Sequence, residues 1–443
     1  MKNNNSQRAN PFDDITNDTI ESQLSVLTSE FSTKWLTKDE DHPLQKLWKR
    51  KDQISTIELY TFCKAIEKIK KINDKWFKHQ KKLILDKNIN NRKGAFWEII
   101  GAYYLMDPKN QIVPAPISQK GFDLTSIILE TKKKINFSLK YYSFSQHCEN
   151  FHKKSKAIAS LIKTKIIANK INTFQISITK IKSYPTECDW QELYLCIEKI
   201  LEDIKGNVEK RGLQYKDWLI LFSKLPDKIE EYKISEKLNS YTILIHVPYH
   251  QNEEKNLISN INDSIRNLKN AEIKEDKNSI NSLLIHIPTT ASINLYQNQI
   301  LEYLKQIKEN PITHIVLYQP SINFDFKAKK TYLQHCLRIT ENAETFDTWF
   351  NNDIRNKIEF WFQIGVFIQK PFENVLIMDN SAYDLKNHYL FQNGNIFVEP
   401  KKLDNNMLFA RFGKYTTGIN IHTTYQGKVV TTPLEPNDEL LIL

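Results

Sequence analysis

Two strand-like runs joined by a lysine-rich turn, GFDLTSIILETKKKINFSLKYYS from Gly121 to Ser143, carry Asp123, Ser138 and Lys140 among otherwise apolar positions. Successive side chains of a strand alternate between faces. Asp123, Thr125, Ile127 and Leu129 then share one face of the first run, and Asn136, Ser138, Lys140 and Tyr142 share one face of the second. If Thr131 to Lys133 form the turn, Asp123 falls nearly across from Lys140 on the polar side of the ladder. A carboxylate can hold a hard cation and an ammonium can offset developing negative charge, so the pair suits electrostatic work on an anionic group. The competing reading is a cross-strand ion pair worth about 0.2–1 kcal/mol.

The elements around the hairpin have to position these groups. Apolar residues recur at helical spacing from Ser55 to Leu85,. After the loop DKNINNRKG, AFWEIIGAYYLM presents Phe96, Ile99, Ile100, Tyr103 and Tyr104 as one apolar stripe,. Glu98 sits within that stripe, where an unpaired charge would be costly, and Gly101 and Ala102 are expected to leave space above it,. A short run at Gln111 to Ala115 precedes the hairpin. The helix ENFHKKSKAIASLIKTKII follows it, and the strand TFQISITKI is expected to close the block. The order αβββαβ predicts a mixed sheet with helices on its faces.

A helix bearing Glu98, GFDL with Asp123, FSLK with Ser138 and Lys140, then a helix and a strand, resemble the PD-(D/E)xK (restriction-endonuclease-like) nuclease superfamily. The resemblance covers Arg92 to Ile181. It implies a fold of αβββαβ type and metal-dependent hydrolysis of phosphodiester bonds. The family's hairpin Asp maps onto Asp123 and its terminal Lys onto Lys140, while Ser138 stands where the family has a second acid. Glu98 is the expected replacement, because Glu130 lies near the turn end of the hairpin, on the order of 23 Å away at strand rise. The resemblance implies that Glu98 and Asp123 hold Mg²⁺ or Mn²⁺, that Lys140 orients the attacking water and stabilises charge on the phosphate, and that Ser138 positions the water or Lys140. Lys93, Gln146, His147, Lys153 and Lys154 are the expected nucleic-acid contacts. Gln146 is followed by Asn150 and Phe151 rather than by Tyr four residues on, which departs from the RecB-like subgroup.

Charge points to the same class of partner. The chain of 443 residues has a formal charge of +10. Lys46 to Lys93 holds 15 Lys and Arg against 5 acids, and Asn150 to Thr186 holds 8 Lys and no acid. Clustered cations release counterions on meeting phosphates, so a polyanion is the natural partner, with DNA favoured over RNA. The bland counterpart is a set of lysine-solvated helices. Five scattered cysteines without a CxxC pair indicate neither a zinc site nor a disulfide framework,. No run of about 20 apolar residues and no secretory signal is present, so a cytoplasmic protein without membrane association is expected.

Further along, YTILIHVP, SLLIHIP and THIVLYQP alternate with helical stretches at Glu253 to Lys274 and Ser292 to Glu309, which predicts a doubly wound parallel sheet,. Their histidines, His246, His286 and His314, fit buried strand positions rather than a metal-ligand pattern. Tyr249, His250, Asn252 and Glu253 lie where open sheets bind ligands, with a helix-capping loop as the alternative. Phe360 to Leu443 is rich in strand runs,. The expected layout is a basic helical region over 1–90, a nuclease core over 91–185, an α/β domain over 186–345 and a β-rich region over 346–443. Such a layout suits a restriction or anti-phage defence nuclease whose C-terminal half meets a trigger, a protein partner or, for double-strand cutting, a second copy. The alternative is a non-catalytic nucleic-acid-binding or partner-binding subunit, as in short prokaryotic Argonaute-type complexes.

Overall fold

Helical patterning ahead of the hairpin folds as α1 (Asn17–Phe31), α2 (Thr33–Leu36), α3 (Pro43–Lys49), α4 (Gln53–Ile84) and α5 (Ile89–Tyr104). Strands β1 (Asn110–Pro114), β2 (Leu124–Ile128) and β3 (Lys134–Tyr141) follow, then α6 (Gln146–Ala168), β4 (Thr173–Lys180), α7 (Glu187–Asp203), β5 (Arg211–Tyr215), β6 (Trp218–Lys224) and β7 (Ser240–Pro248). Next come α8 (Asn252–Asn270), β8 (Ser279–His286), α9 (Ile293–Leu304), β9 (His314–Asp325), β10 (Lys330–Glu341) and β11 (Val366–Ile368). Short strands β12 (Val375–Met378), β13 (Ser381–Asp384), β14 (His388–Gly394), β15 (Lys401–Leu403), β16 (Met407–Phe409), β17 (Ile419–Tyr425) and β18 (Lys428–Leu434) complete the chain. This is a computed structural model, and it describes residues 8–38, 42–49, 53–118, 121–142, 145–169, 173–203, 211–224, 240–270, 279–307, 310–325, 330–341, 360–369, 375–378, 381–384, 386–394, 401–403, 407–409, 419–425, 428–434 and 442–443.

The chain is mixed α/β and divides into two compact units. One comprises Met1–Ser143, Glu254–Phe372 and Leu440–Leu443, and the other Phe144–Glu253 and Glu373–Glu439.

In the first unit the sheet order is β1-β2-β3-β8-β9-β10-β11. The β1–β2–β3 meander is antiparallel, and β3, β8 and β9 run parallel. The β3–β8 register sets Lys140 beside Ile285 and Tyr141 beside His286. One face of the sheet, with Leu124, Phe137, Leu139, Leu284, Val316 and Tyr318, packs into a single core with Ile57, Phe62, Phe96 and Ile100 of the helical layer. Full burial of each such side chain is worth about 1.5–3 kcal/mol. The amphipathic stripes of α4 and α5 are therefore spent on holding the sheet.

In the second unit the order is β14-β7-β4-β6-β5. Ile176, Ile178, Ile220, Ile243 and Ile245 of this sheet share a core with Phe151, Ile158 and Ile162 of α6 and Leu193 and Ile197 of α7.

Two expectations are corrected here. TFQISITKI (β4) does not close the hairpin's sheet: it pairs parallel with β7 and antiparallel with β6, and the neighbour of β3 is β8. Likewise, YTILIHVP (β7) does not join SLLIHIP (β8) and THIVLYQP (β9), which are adjacent in the first unit. The physical reason is common to both. Apolar runs buried on both faces look alike, and which sheet they enter is decided by partners distant in sequence.

Within the second unit, Glu253 joins the two ends of the segment that separates β3 from α8. It is fully buried. Its carboxylate accepts from the Ser145 backbone N–H at 3.1 Å, from Ser145 Oγ and from Tyr389 OH. Ser145 also caps α6, accepting from His147 N at 3.1 Å. The polar group after YTILIHVP is thus engaged in tying the chain, as a capping loop does. Glu253→Ala would strand these donors, and the loss is expected to be about 1–3 kcal/mol, read as a lower urea midpoint at unchanged slope.

Candidate active site

α5 places its acid through packing of its neighbours. Asn88 caps the helix, accepting from Asn90 N at 2.9 Å and Asn91 N at 3.3 Å. Trp97 is anchored over the sheet, its Nε1 donating to Leu284 O at 3.4 Å and its ring stacked on Tyr318 with centroids 5.1 Å apart. The adjacent Glu98 is thereby carried to the margin of the core, where it keeps slight solvent exposure within dense protein surroundings. The expected space above Gly101 and Ala102 is filled: a Cβ on Gly101 would lie 3.5 Å from Leu139 Cδ1 and from Trp97, and Ala102 is fully buried. The opening lies about two turns earlier, where a Cβ on Gly94 would meet nothing within 4 Å,.

Asp123 stands just ahead of β2 and is fixed by its backbone, its N donating to Phe137 O at 2.8 Å and its O accepting from Ala115 N at 2.9 Å. Its Oδ2 accepts from Leu139 N at 2.6 Å, so the carboxylate takes the hydrogen bond a neighbouring strand would otherwise accept. The pairing of Leu124 with Phe137 puts Asp123 level with Ser138, and Lys140 is its diagonal neighbour rather than its opposite. The cause is the turn, which begins earlier than Thr131: Ile128 N donates to Lys133 O at 2.9 Å, and Lys132 takes a positive φ of 59°.

The ionisable groups converge. Lys140 Nζ is 3.8 Å from Asp123 Oδ2, with the two side chains 38% and 25% exposed, so both groups are open to a ligand from solvent. Ser138 is buried level with Asp123, on the strand face that carries Lys140,. Burial and the nearby negative charge of Asp123 push the Glu98 carboxyl up to about 8, against the opposing pull of Lys140 and a hydrogen bond from Gln80. The charges of Asp123 and Lys140 thus both act on Glu98, in opposite directions. Carboxylate oxygens are the hard donors that cations such as Mg²⁺ and Mn²⁺ take. Among the described residues no group of three or more His, Cys, Asp or Glu side chains converges.

Lys93 belongs to this neighbourhood, its Nζ lying 5.1 Å over the ring of Tyr141, which also stacks on His286 with centroids 4.6 Å apart. The other expected nucleic-acid contacts lie in the second unit. Gln146 is exposed in the first turn of α6. His147 stacks on His250 at 3.5 Å, and its carbonyl accepts from Tyr184 OH at 2.9 Å. Lys153 is exposed, whereas Lys154 pairs with Glu187.

That pairing is part of a pattern. Lys165 meets Glu198 and Glu202 at 3.3 and 3.0 Å, Lys180 meets Asp189 at 3.0 Å, and Lys182 meets Asp217 at 2.9 Å. Four of the eight lysines in the acid-free stretch of sequence are thus answered by α7 and the turn before β6. On α4, Lys70 and Lys81 share Glu30, and Lys71 and Lys78 pair with Glu67 and Asp74. His246, His286 and His314 are buried in strands, and desolvation pushes them down to about 3, 3 and 4.

Sequence reasoning did not single out Gln80, the hydrogen-bond partner of Glu98. No local signal marks it, since the pair lies 18 residues apart on two helices. A scan against protein-family models, a search of curated proteins and a search of solved structures each found no match to this chain.

Proposed function

We propose that this protein is a metal-dependent nuclease that hydrolyses phosphodiester bonds, with DNA the favoured substrate, and that it acts in the cytoplasm as a restriction or anti-phage defence effector. The observation that carries the reading is the meeting of Glu98, Asp123 and Lys140, drawn from a helix, a strand end and a strand, within one electrostatic neighbourhood. The element order supports it. Taken with the segment that follows the second unit's insertion, α5, β1, β2, β3, α8 and β8 form an αβββαβ succession in which β8 lies parallel to β3. In this succession residues 144–253 are set between β3 and the remainder of α8.

Glu98 and Asp123 would hold the cation. When bound, Mg²⁺ or Mn²⁺ lowers the pKa of a water and offsets phosphate charge. Lys140 stabilises negative charge at the phosphoryl oxygens, and Asp123 in turn steadies the Lys140 ammonium. Ser138 restrains the space between them. Lys93, set over Tyr141 beside the strand that bears Lys140, contributes a phosphate contact, and the gap at Gly94 lets a backbone approach.

The test is incubation of plasmid, single-stranded DNA and RNA with Mg²⁺, Mn²⁺ or EDTA. Cleavage is expected with either cation and none with EDTA. An intact panel in all lanes, including those with a co-purifying partner added back, sinks the reading. The presence of Ser138 at the acid position favours one rival, a non-catalytic nucleic-acid-binding or partner-binding subunit in which Asp123 and Lys140 are an ion pair. Lys140→Ala separates the two: retained binding with cleavage down about 10²- to 10³-fold marks the enzyme, on the scale of losing one charge-stabilising donor.

A further inference from the structure

Gln80 is only 3% exposed, and its Nε2 donates to Glu98 Oε2 at 2.6 Å. Its Oε1 has no hydrogen-bond partner among the described residues. A methionine or leucine would fill the same space without stranding a buried acceptor, so packing alone is a poor reason for an amide here. Its placement is firm. α4 breaks at Asn73 (φ −156°, ψ 89°), whose Oδ1 accepts from Trp76 N at 2.9 Å and restarts the helix. The second segment then buries Trp76, Phe77, Gln80 and Ile84 at helical spacing,.

We propose that Gln80 is a positioning residue for the cation site: its amide holds one oxygen of Glu98 and fixes the carboxylate plane, presenting the other oxygen to the cation beside Asp123. The inference rests on the nuclease reading of this site. With Ser138 in place of a further acid, the cation has two protein carboxylates, and the orientation of each matters correspondingly more. Partners that orient metal-ligating groups commonly account for 10- to 100-fold in affinity.

The test is Mn²⁺ binding, followed by electron paramagnetic resonance, on the full chain as wild type, Gln80→Met, Gln80→Asn and Glu98→Gln, with a thermal melt of each in EDTA. Gln80→Met is expected to bind Mn²⁺ about 10–100-fold more weakly, and saturating Mn²⁺ to restore its cleavage rate, because the reacting groups are intact. Gln80→Asn, which keeps the donor on a shorter arm, is expected to fall between and serves alone if the methionine variant does not fold. Wild-type affinity in the variant, or a rate loss that saturating Mn²⁺ leaves in place, overturns the positioning role and spares the nuclease reading. A wild type that binds Mn²⁺ no better than Glu98→Gln overturns both.

Discussion

Glu98→Gln is expected to stabilise the metal-free protein at pH 9 while removing cleavage. The Glu98 carboxyl is pushed from 4.5 up to about 8, first by burial and then by the charge of Asp123. The sign follows from linkage. Below about pH 4.5 the group is protonated in both folded and unfolded chains and costs nothing. Between 4.5 and 8 the unfolded chain releases its proton while the folded one keeps it, so stability falls as pH rises; above 8 the deficit is constant,. At 1.36 kcal/mol per pH unit the full effect is on the order of a few kcal/mol. Glutamine keeps the shape and an acceptor for Gln80 without the charge, so its urea midpoint should change much less between pH 5 and 9. Removing one of the two carboxylates should also lower cleavage by at least about 10²-fold. Equal wild-type and Glu98→Gln midpoints across pH 5, 7 and 9 in EDTA would show that Glu98 is not buried beside Asp123.

A largely desolvated carboxylate that weakens the fold and is held by Gln80 is hard to account for as packing, and this is why Glu98 weighs more than the Asp123–Lys140 pair alone. That pair, partly exposed at 3.8 Å, would by itself be an unremarkable ion pair,. The site was legible in the sequence wherever alternation and helical period applied. They put Asp123, Ser138 and Lys140 on one strand face and Glu98 in an aromatic stripe. Those rules are local, and they failed where the decision was not. The hairpin register depends on a positive φ at Lys132, a lysine that carries no turn signature,. The choice of β8 over β4 as the partner of β3 depends on a 108-residue detour closed by Ser145 and Glu253, which no periodicity announces. Charge counting along the sequence is local in the same way and does not show that Lys154, Lys165 and Lys180 are answered by acids of the following helix.

In the proposed nuclease the same carboxyl would make cation affinity a function of pH. To enter between Glu98 and Asp123, a cation must displace the proton that Glu98 carries below about pH 8,. Mn²⁺ affinity should therefore rise about tenfold per pH unit up to that point and level off above it, about 100-fold between pH 6 and 8. Two substitutions move the break in opposite directions. Asp123→Asn removes a charge that raises the Glu98 pKa, so the break shifts to lower pH even as absolute affinity drops. Lys140→Ala removes a charge that lowers it, so the break shifts to higher pH. A merely nearby ion pair would produce neither shift. Mn²⁺ binding measured at half-unit steps from pH 5.5 to 9 decides the matter: a flat profile in the wild type, or breaks that ignore both substitutions, would mean that the three groups do not share one cation.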